Sequence, residues 1–382
     1  MKFVLAPDKY KGSLTGNEFC EAVESGIKKV FPQATVIKKP LADGGDGTIE
    51  IIRDYLKAST VNIMVKDPLF RDIRTGYLLS GDCKTAFVEM SEASGYKLLD
   101  KVEMNCMYTT SLGTGQMILD ALEKGVEHIV LGIGGSATND GGMGMAVALG
   151  YRFLDRDGEG LDPVGKNLIH VRKIDGTKVH PQIAKTKIQV ACDVTNPLHG
   201  VEGAAKIYGP QKGASQEEVE FLDKGLENFA KVLQATFGVD AQNIPGAGAA
   251  GGMGAGAVVF LGSELISGVD LVMEMANFDE ILQHTDWIIT GEGQLDGQTL
   301  SGKTINGVLK RAKAKGIPVA AFCGAVNISI ETLQHIGLDY AVSILNQIGG
   351  LEEAKLSSYK NLELASYNFA NLLKKARTDT KK

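Results

Sequence analysis

Five segments of the sequence set an acid, an amide or a lysine among small residues. Pro7-Asp8-Lys9-Tyr10-Lys11-Gly12-Ser13 places two lysines beside an aspartate, whereas Ala42-Asp43-Gly44-Gly45-Asp46-Gly47-Thr48 carries acids and no lysine. Gly134-Gly135-Ser136-Ala137-Thr138-Asn139-Asp140-Gly141-Gly142 offers closely spaced backbone N–H groups with hydroxyl, amide and carboxylate side chains among them. Ala191-Cys192-Asp193-Val194-Thr195-Asn196-Pro197 follows an apolar run with an acid, and Gly209-Pro210-Gln211-Lys212-Gly213-Ala214-Ser215 holds a lysine in a tight turn. A turn whose Asp or Asn caps its own backbone explains any one of these. Their recurrence at the carboxyl ends of strands favours a common cleft. Phosphoryl transfer needs such a set: backbone N–H groups and lysines around phosphates, carboxylates for Mg²⁺, and an acid near the accepting hydroxyl. Hydride transfer and covalent hydrolysis suit it less well. There is no G-x-S-x-G elbow, and of the six histidines only His199 stands near one of these segments.

Three glycine motifs compete with that reading. Gly132-Ile133-Gly134-Gly135-Ser136-Ala137 has the form G-x-G-x-x-A after a strand, with Asp155 and Asp157 about twenty residues on, as a dinucleotide site requires. Such sites use the first strand of their domain, and here the first strand ends instead in Ala6-Pro7-Asp8-Lys9. Gly246-Ala247-Gly248-Ala249-Ala250-Gly251 repeats the pattern without a clear strand before it. Gly297-Gln298-Thr299-Leu300-Ser301-Gly302-Lys303-Thr304 fits the P-loop pattern letter for letter, yet six residues part it from the preceding strand. Lys303 at a helix start can still meet a phosphate, because helix N-termini attract anions.

The elements that must carry these loops are legible in the periodicity. Residues 2–6 read as a strand. Thr15 and Glu18 form a capping box that opens a helix with Phe19, Val23, Ile27 and Val30 on one face, and Pro32 ends it. A strand at 35–40 and a helix at 49–57 complete a β-α-β-α start, which implies a parallel sheet with ligands at the strand carboxyl ends. From 59 to 92 the rhythm turns to short alternating segments at 61–65, 75–79 and 86–89, as antiparallel strands of a different domain would show. Further strands are expected at 128–133, 188–191, 287–290, 318–322 and 341–344, with helices at 115–124, after Gly142, at 217–236 and from about 352. The expected fold class is therefore α/β with two α/β domains. A Rossmann-like parallel-sheet domain is built from both chain ends, 1–60 plus 286–382, and a mixed α/β domain, 61–285, is inserted into it, with a cleft between them.

Composition narrows the classes further. With 382 residues, 44% hydrophobic and 23% charged, the chain is a soluble globular protein too long for one ordinary core. A net charge of −6 argues against a nucleic-acid partner. Five cysteines without C-x-x-C spacing point to free thiols in a reducing, cytoplasmic setting rather than to disulfides or zinc. Residues 241–263 carry no charge, but seven glycines and six alanines make them a buried loop and helix rather than a membrane span.

At the loops named above the sequence resembles the bacterial glycerate kinase family, of the glycerate 2-kinase type. The matching stretches are residues 6–11, 42–48, 132–142, 191–198, 209–215, 245–254 and 291–303, in family order across nearly the whole chain. The resemblance implies transfer of the γ-phosphoryl of ATP to a hydroxyl of D-glycerate, with ATP and Mg²⁺ required and 2-phosphoglycerate formed. A 3-phosphoglycerate product is the alternative; an NAD-dependent hydroxy-acid reductase and a non-catalytic glycerate sensor are more remote. It also makes the P-loop letters incidental. The family keeps the positions of Glu292, Asp296, Gly302 and Lys303, but not a glycine at 297 or a hydroxyl at 304. Ile305 stands where proline is usual, and Asp46 where glutamate is common. The expected catalytic residues are Asp193, Asp296 and Lys9, with Asp193 first as the base and Asp43 also a rival. Lys11, Asp43, Gly44, Gly45, Asn196 and Lys212 are expected at the substrate. Gly134, Gly135, Ser136, Thr138, Asn139, Asp140 and Lys303 are expected at the nucleotide, and Glu292 and Asp296 at the metal.

Overall fold

The computed structural model describes residues 1–10, 12–42, 48–296 and 303–379, with backbone alone at 303, 378 and 379. The chain divides into two compact units, Met1–Tyr55 with Ser267–Lys382, and Leu56–Ile266.

The first unit is built on five parallel strands in the order Thr35–Lys38, Lys2–Leu5, Trp287–Thr290, Val319–Cys323, Tyr340–Ser343. In chain order this is 2-1-3-4-5, the flavodoxin-like doubly wound arrangement, whose strand order reverses beside the first strand. A crevice therefore opens beyond the carboxyl ends of Lys2–Leu5 and Trp287–Thr290, where Asp8 and Glu292 follow. The central strands are apolar without alternation because helices cover both faces of the sheet; Phe3, Val4 and Leu5 are inaccessible to solvent, as are Ala320 to Cys323. Helix Gly16–Lys28 begins with the expected capping box: Glu18 N–H donates to Thr15 Oγ1 at 3.2 Å, and Thr15 N–H to Glu18 Oε2 at 2.8 Å. Its buried face, with Phe19, Val23 and Ile27, joins Phe3, Phe322 and Phe369 in one core. Phe369 comes from the last helix, Leu351–Asp379, and meets Trp287 edge to face at 5.1 Å.

The second unit has six strands in the order Glu264–Ile266, Lys187–Ala191, His128–Gly132, Thr85–Glu89, Asp72–Leu79, Ser59–Lys66. The first four run parallel, and the last two form an antiparallel hairpin on Thr85–Glu89. The two rhythms of the sequence thus meet within one sheet. Thr85–Glu89 pairs antiparallel on one side and parallel on the other. Helix Gln216–Phe237 has a second reciprocal capping box, Ser215 with Glu218, and stops at Gly238 in the left-handed conformation. The charge-free stretch becomes the buried helix Ala249–Leu261, whose Phe260 packs edge to face with Phe153 and tilted against Phe229 in the core. This helix is broken near its start, where Ala250, Gly251 and Gly252 all have positive φ. Among the described residues no helix is long and apolar enough to cross a membrane.

Candidate active site

In the second unit the parallel strands end on one line. Glu89 is paired with Gly132, Gly132 with Ala191, and Ala191 with Ile266. Beyond that line runs the glycine loop, 133–142, which leads into helix Met143–Ala148. Gly251 supports the loop from behind: its carbonyl accepts from Gly141 N–H at 3.0 Å, and a Cβ on it would lie 2.0 Å from the Thr138 carbonyl oxygen. Only a glycine at φ +74° permits that approach.

Asp140 turns inward. Its Oδ2 accepts from Ser111 N–H at 2.8 Å, Ser111 Oγ–H at 2.7 Å and Gly144 N–H at 3.1 Å, and its Oδ1 accepts from Gly142 N–H at 3.2 Å. Complete burial raises its pKa, against the lowering effect of these four donors. The carboxylate is thus committed to the fold of the loop.

Lys212, which follows the loop by more than seventy residues, reaches back into it. Its Nζ donates to Ser136 Oγ and to the Thr138 carbonyl, both at 2.7 Å, and the residue is only 5% exposed. Burial lowers its pKa to about 8, with Cys106 and Asp140 opposing. An ammonium has three donors, and these two bonds leave one for a ligand. The Thr138 hydroxyl and both polar atoms of the Asn139 carboxamide are buried without a hydrogen-bond partner among the described residues. Each such group costs about 1–3 kcal/mol if left unmade, so a native fold keeps it where something polar binds.

The loop after Lys187–Ala191 carries Asp193, half-buried, and Asn196. The Asn196 amide accepts from Tyr208 OH at 2.7 Å and donates to the Glu202 carbonyl at 2.9 Å. These two bonds fix its orientation and leave the carboxamide one further donor and one further acceptor position.

One acidic residue at this edge was not singled out in the sequence. Glu89 ends its strand with its carboxylate laid against Gly132; a Cβ on that glycine would come within 2.8–2.9 Å of Oε1, Cδ and Oε2. Burial pushes its pKa up to about 7, Glu92 adds to this, and Lys97 opposes it. Lys97 is itself paired with Glu92. Among the described residues no hydrogen bond or ion pair reaches the Glu89 carboxylate. The signal available was an apolar strand ending in glutamate beside a strand ending in glycine.

In the first unit, Asp8 lies at the order reversal of the sheet. Its Oδ1 accepts from Lys9 N–H at 2.7 Å, and its Oδ2 from Thr304 Oγ1–H at 2.9 Å, at the start of helix Lys303–Lys315. Ile305, in that first turn, is buried. Tyr10 donates to the Phe322 carbonyl at 2.7 Å, and burial raises its pKa, with Cys323 and Glu292 adding to the effect. Glu292 is thus close to both groups. Asp296 accepts from the Gln294 amide at 3.0 Å. A cavity of about 260 Å³ adjoins this edge, lined in part by Tyr10, Gly293, Gly324, Ile344 and Asn361. Lys11, Asp43, Gly44, Gly45, Asp46 and residues 297–302 lie outside the described residues, and of Lys303 only the backbone is described.

A doubly wound parallel sheet, and a glycine loop that encloses a lysine at strand carboxyl ends, define a class of α/β proteins that bind small anionic ligands. Comparison with known proteins narrows the class. Residues 3–374 match the profile of the Glycerate kinase family. A glycerate kinase of Halalkalibacterium halodurans is 46% identical over 367 residues, covering 96% of this chain and 97% of that one. A glycerate 2-kinase of Escherichia coli is 42% identical over 373 residues, 98% of each chain. A crystal structure provisionally described as glycerate kinase 2 of Salmonella typhimurium LT2 superposes with a TM-score of 0.86 at 41% identity, covering 99% of each chain. The chain belongs to the glycerate kinase family.

Proposed function

We propose that this protein is an ATP-dependent glycerate kinase that transfers the γ-phosphoryl group to a hydroxyl of D-glycerate, giving 2-phosphoglycerate. The observation that carries the reading is the glycine loop. A buried lysine is bonded to Ser136 and to the Thr138 carbonyl within it, and the Thr138 hydroxyl and Asn139 carboxamide have no partner among the described residues. Backbone N–H groups of Gly134 and Gly135, with the remaining donor of Lys212, bind the phosphates of ATP, and Asp140 holds the loop in shape from inside. Lys303 adds positive charge, and Lys9 and Lys11 bind the glycerate carboxylate as point charges. Asn196, Asp43, Gly44 and Gly45 complete the substrate side.

Asp193 takes the proton of the attacking hydroxyl as its oxygen bonds to the γ-phosphorus and the bond to the ADP oxygen breaks. Asp296 is the rival for that part. Among the described residues no three ligating side chains form a metal cluster. That suits Mg²⁺, which takes one or two carboxylates and completes its shell with phosphate oxygens and water. Glu292 and Asp296 are the residues proposed to hold it. When bound, Mg²⁺ neutralises charge on the transferring phosphates. The rest of the catalysis is positioning and charge complementarity.

The test is ADP release from MgATP with D-glycerate, with the product read by phosphorus NMR. Glycerate-dependent release and a phosphorus coupled to the C2 proton support the proposal in full. Coupling to C3 protons gives the 3-phosphate alternative. Binding of glycerate without ADP release makes the chain a sensor, and consumption of NADH makes it a reductase.

A further inference from the structure

We propose that Glu89 is a divalent-cation ligand at the glycine loop, holding Mg²⁺ directly or through one water, with phosphate oxygens of the nucleotide supplying further ligands. The inference rests on the reading of residues 133–142 as the phosphate loop. Three observations carry it. The Glu89 carboxylate lies against Gly132, where the loop begins, so close that a Cβ on that glycine would displace it. No hydrogen bond or ion pair among the described residues reaches it, although the residue is half-buried. The nearby cations are committed elsewhere: Lys97 pairs with Glu92, and Lys212 bonds to Ser136 and Thr138.

Electrostatics then decides the partner. A carboxylate beside bound phosphates repels them, and the effect is strong where little water screens it. A cation between the two anions turns that repulsion into attraction, and hard oxygen ligands of this kind select Mg²⁺ or Mn²⁺. The remaining possibility is that Glu89 is neutral and donates a hydrogen bond to a phosphate. Glutamine imitates the neutral acid, since it keeps the shape and a donor but is a poor metal ligand.

The experiment uses the full chain, with Mn²⁺ followed by electron paramagnetic resonance and β,γ-imido-ATP binding followed by calorimetry. Wild type is expected to hold Mn²⁺ at least tenfold more tightly than Glu89→Gln in the presence of the nucleotide. With EDTA present, Glu89→Gln is expected to bind the nucleotide more tightly than wild type, because no cation then offsets the repulsion from the carboxylate. Glu89→Asp, which retains the charge on a shorter arm, is expected to fall between them. Equal Mn²⁺ affinity in wild type and Glu89→Gln overturns the inference and makes Glu89 a neutral donor. No nucleotide binding by wild type overturns the phosphate-loop reading and the inference with it.

Discussion

Burial brings the charge state of Lys212 within reach of ordinary buffers. Its pKa is about 8 in the folded chain, against 10.5 for the free side chain. Between those values the unfolded chain binds more protons than the folded one, so the Lys212 contribution to stability rises with pH. The whole step is about 3 kcal/mol, and below about pH 8 the cost of the buried charge is fully present. Nucleotide affinity should run the other way, falling as the pH passes through 8 and the ammonium is lost. Lys212→Met should remove both slopes, as the difference between variant and wild type in urea melts and calorimetry from pH 7 to 9.5. Parallel stability profiles for the two chains would mean that Lys212 keeps its proton in the folded chain over this range and that burial does not lower its pKa. Asp193→Asn should lower kcat about 10²–10⁴-fold, the usual scale for a general base, with ATP affinity kept; near-normal turnover removes Asp193 from that part. Residues such as Ser136, Thr138 and Asn139 were legible because glycine clustering marks a loop shaped for close approach. The bond from Lys212 to Ser136 spans 76 positions, and no spacing rule reports it. Glu89 was hidden for another reason: a glutamate that ends an apolar strand has the pattern of a solvated strand end, and only the neighbouring glycine shows where its carboxylate goes.

At the scale of elements, local chemistry was the readable part. The capping box at Thr15 was read from residue types three apart, and the one at Ser215 has the same spacing to Glu218; each cap satisfies N–H groups that the helix itself leaves unpaired. Ser215→Ala should therefore lower stability by about 1 kcal/mol in urea unfolding, with turnover unchanged. The pairing direction of strands was harder to read. Alternation at 59–79 gave the hairpin, but Thr85–Glu89 is flanked antiparallel by Asp72–Leu79 and parallel by His128–Gly132, and its own residues favour neither. The break in helix Ala249–Leu261 was not legible either, since glycine-rich sequence fits a loop or a helix equally until a partner is known. The partner is the glycine loop. Gly251→Ala would force a left-handed φ on alanine and push a Cβ into the Thr138 carbonyl. We expect a loss of about 2–4 kcal/mol, the range of a strained backbone with a steric clash, together with weaker nucleotide binding. Unchanged stability would show that the loop moves freely with the helix.

At the scale of the molecule, the second unit is a single continuous segment, Leu56–Ile266, whereas the first is assembled from both chain ends. Each has its own buried core: Phe153, Phe229 and Phe260 belong to one, Phe3, Phe19, Phe322 and Phe369 to the other. The sheet of the second unit is complete within its own segment, and so are the caps of helix Gln216–Phe237, at Ser215 and Gly238, and the Asp140 network. A chain limited to residues 56–266 should therefore fold alone and unfold in one cooperative step by circular dichroism. It retains Glu89, the glycine loop, Asp193 and Lys212, and it lacks Lys9, Lys11, Glu292, Asp296 and Lys303. If phosphate recognition belongs to the loop, the excised unit should still bind MgATP by calorimetry, more weakly than the full chain, and release no ADP when D-glycerate is added. A folded segment that binds no nucleotide would move phosphate recognition to the first unit, to the residues that follow its sheet reversal. A segment that releases ADP in response to glycerate would remove Lys9 and Asp296 from the reaction.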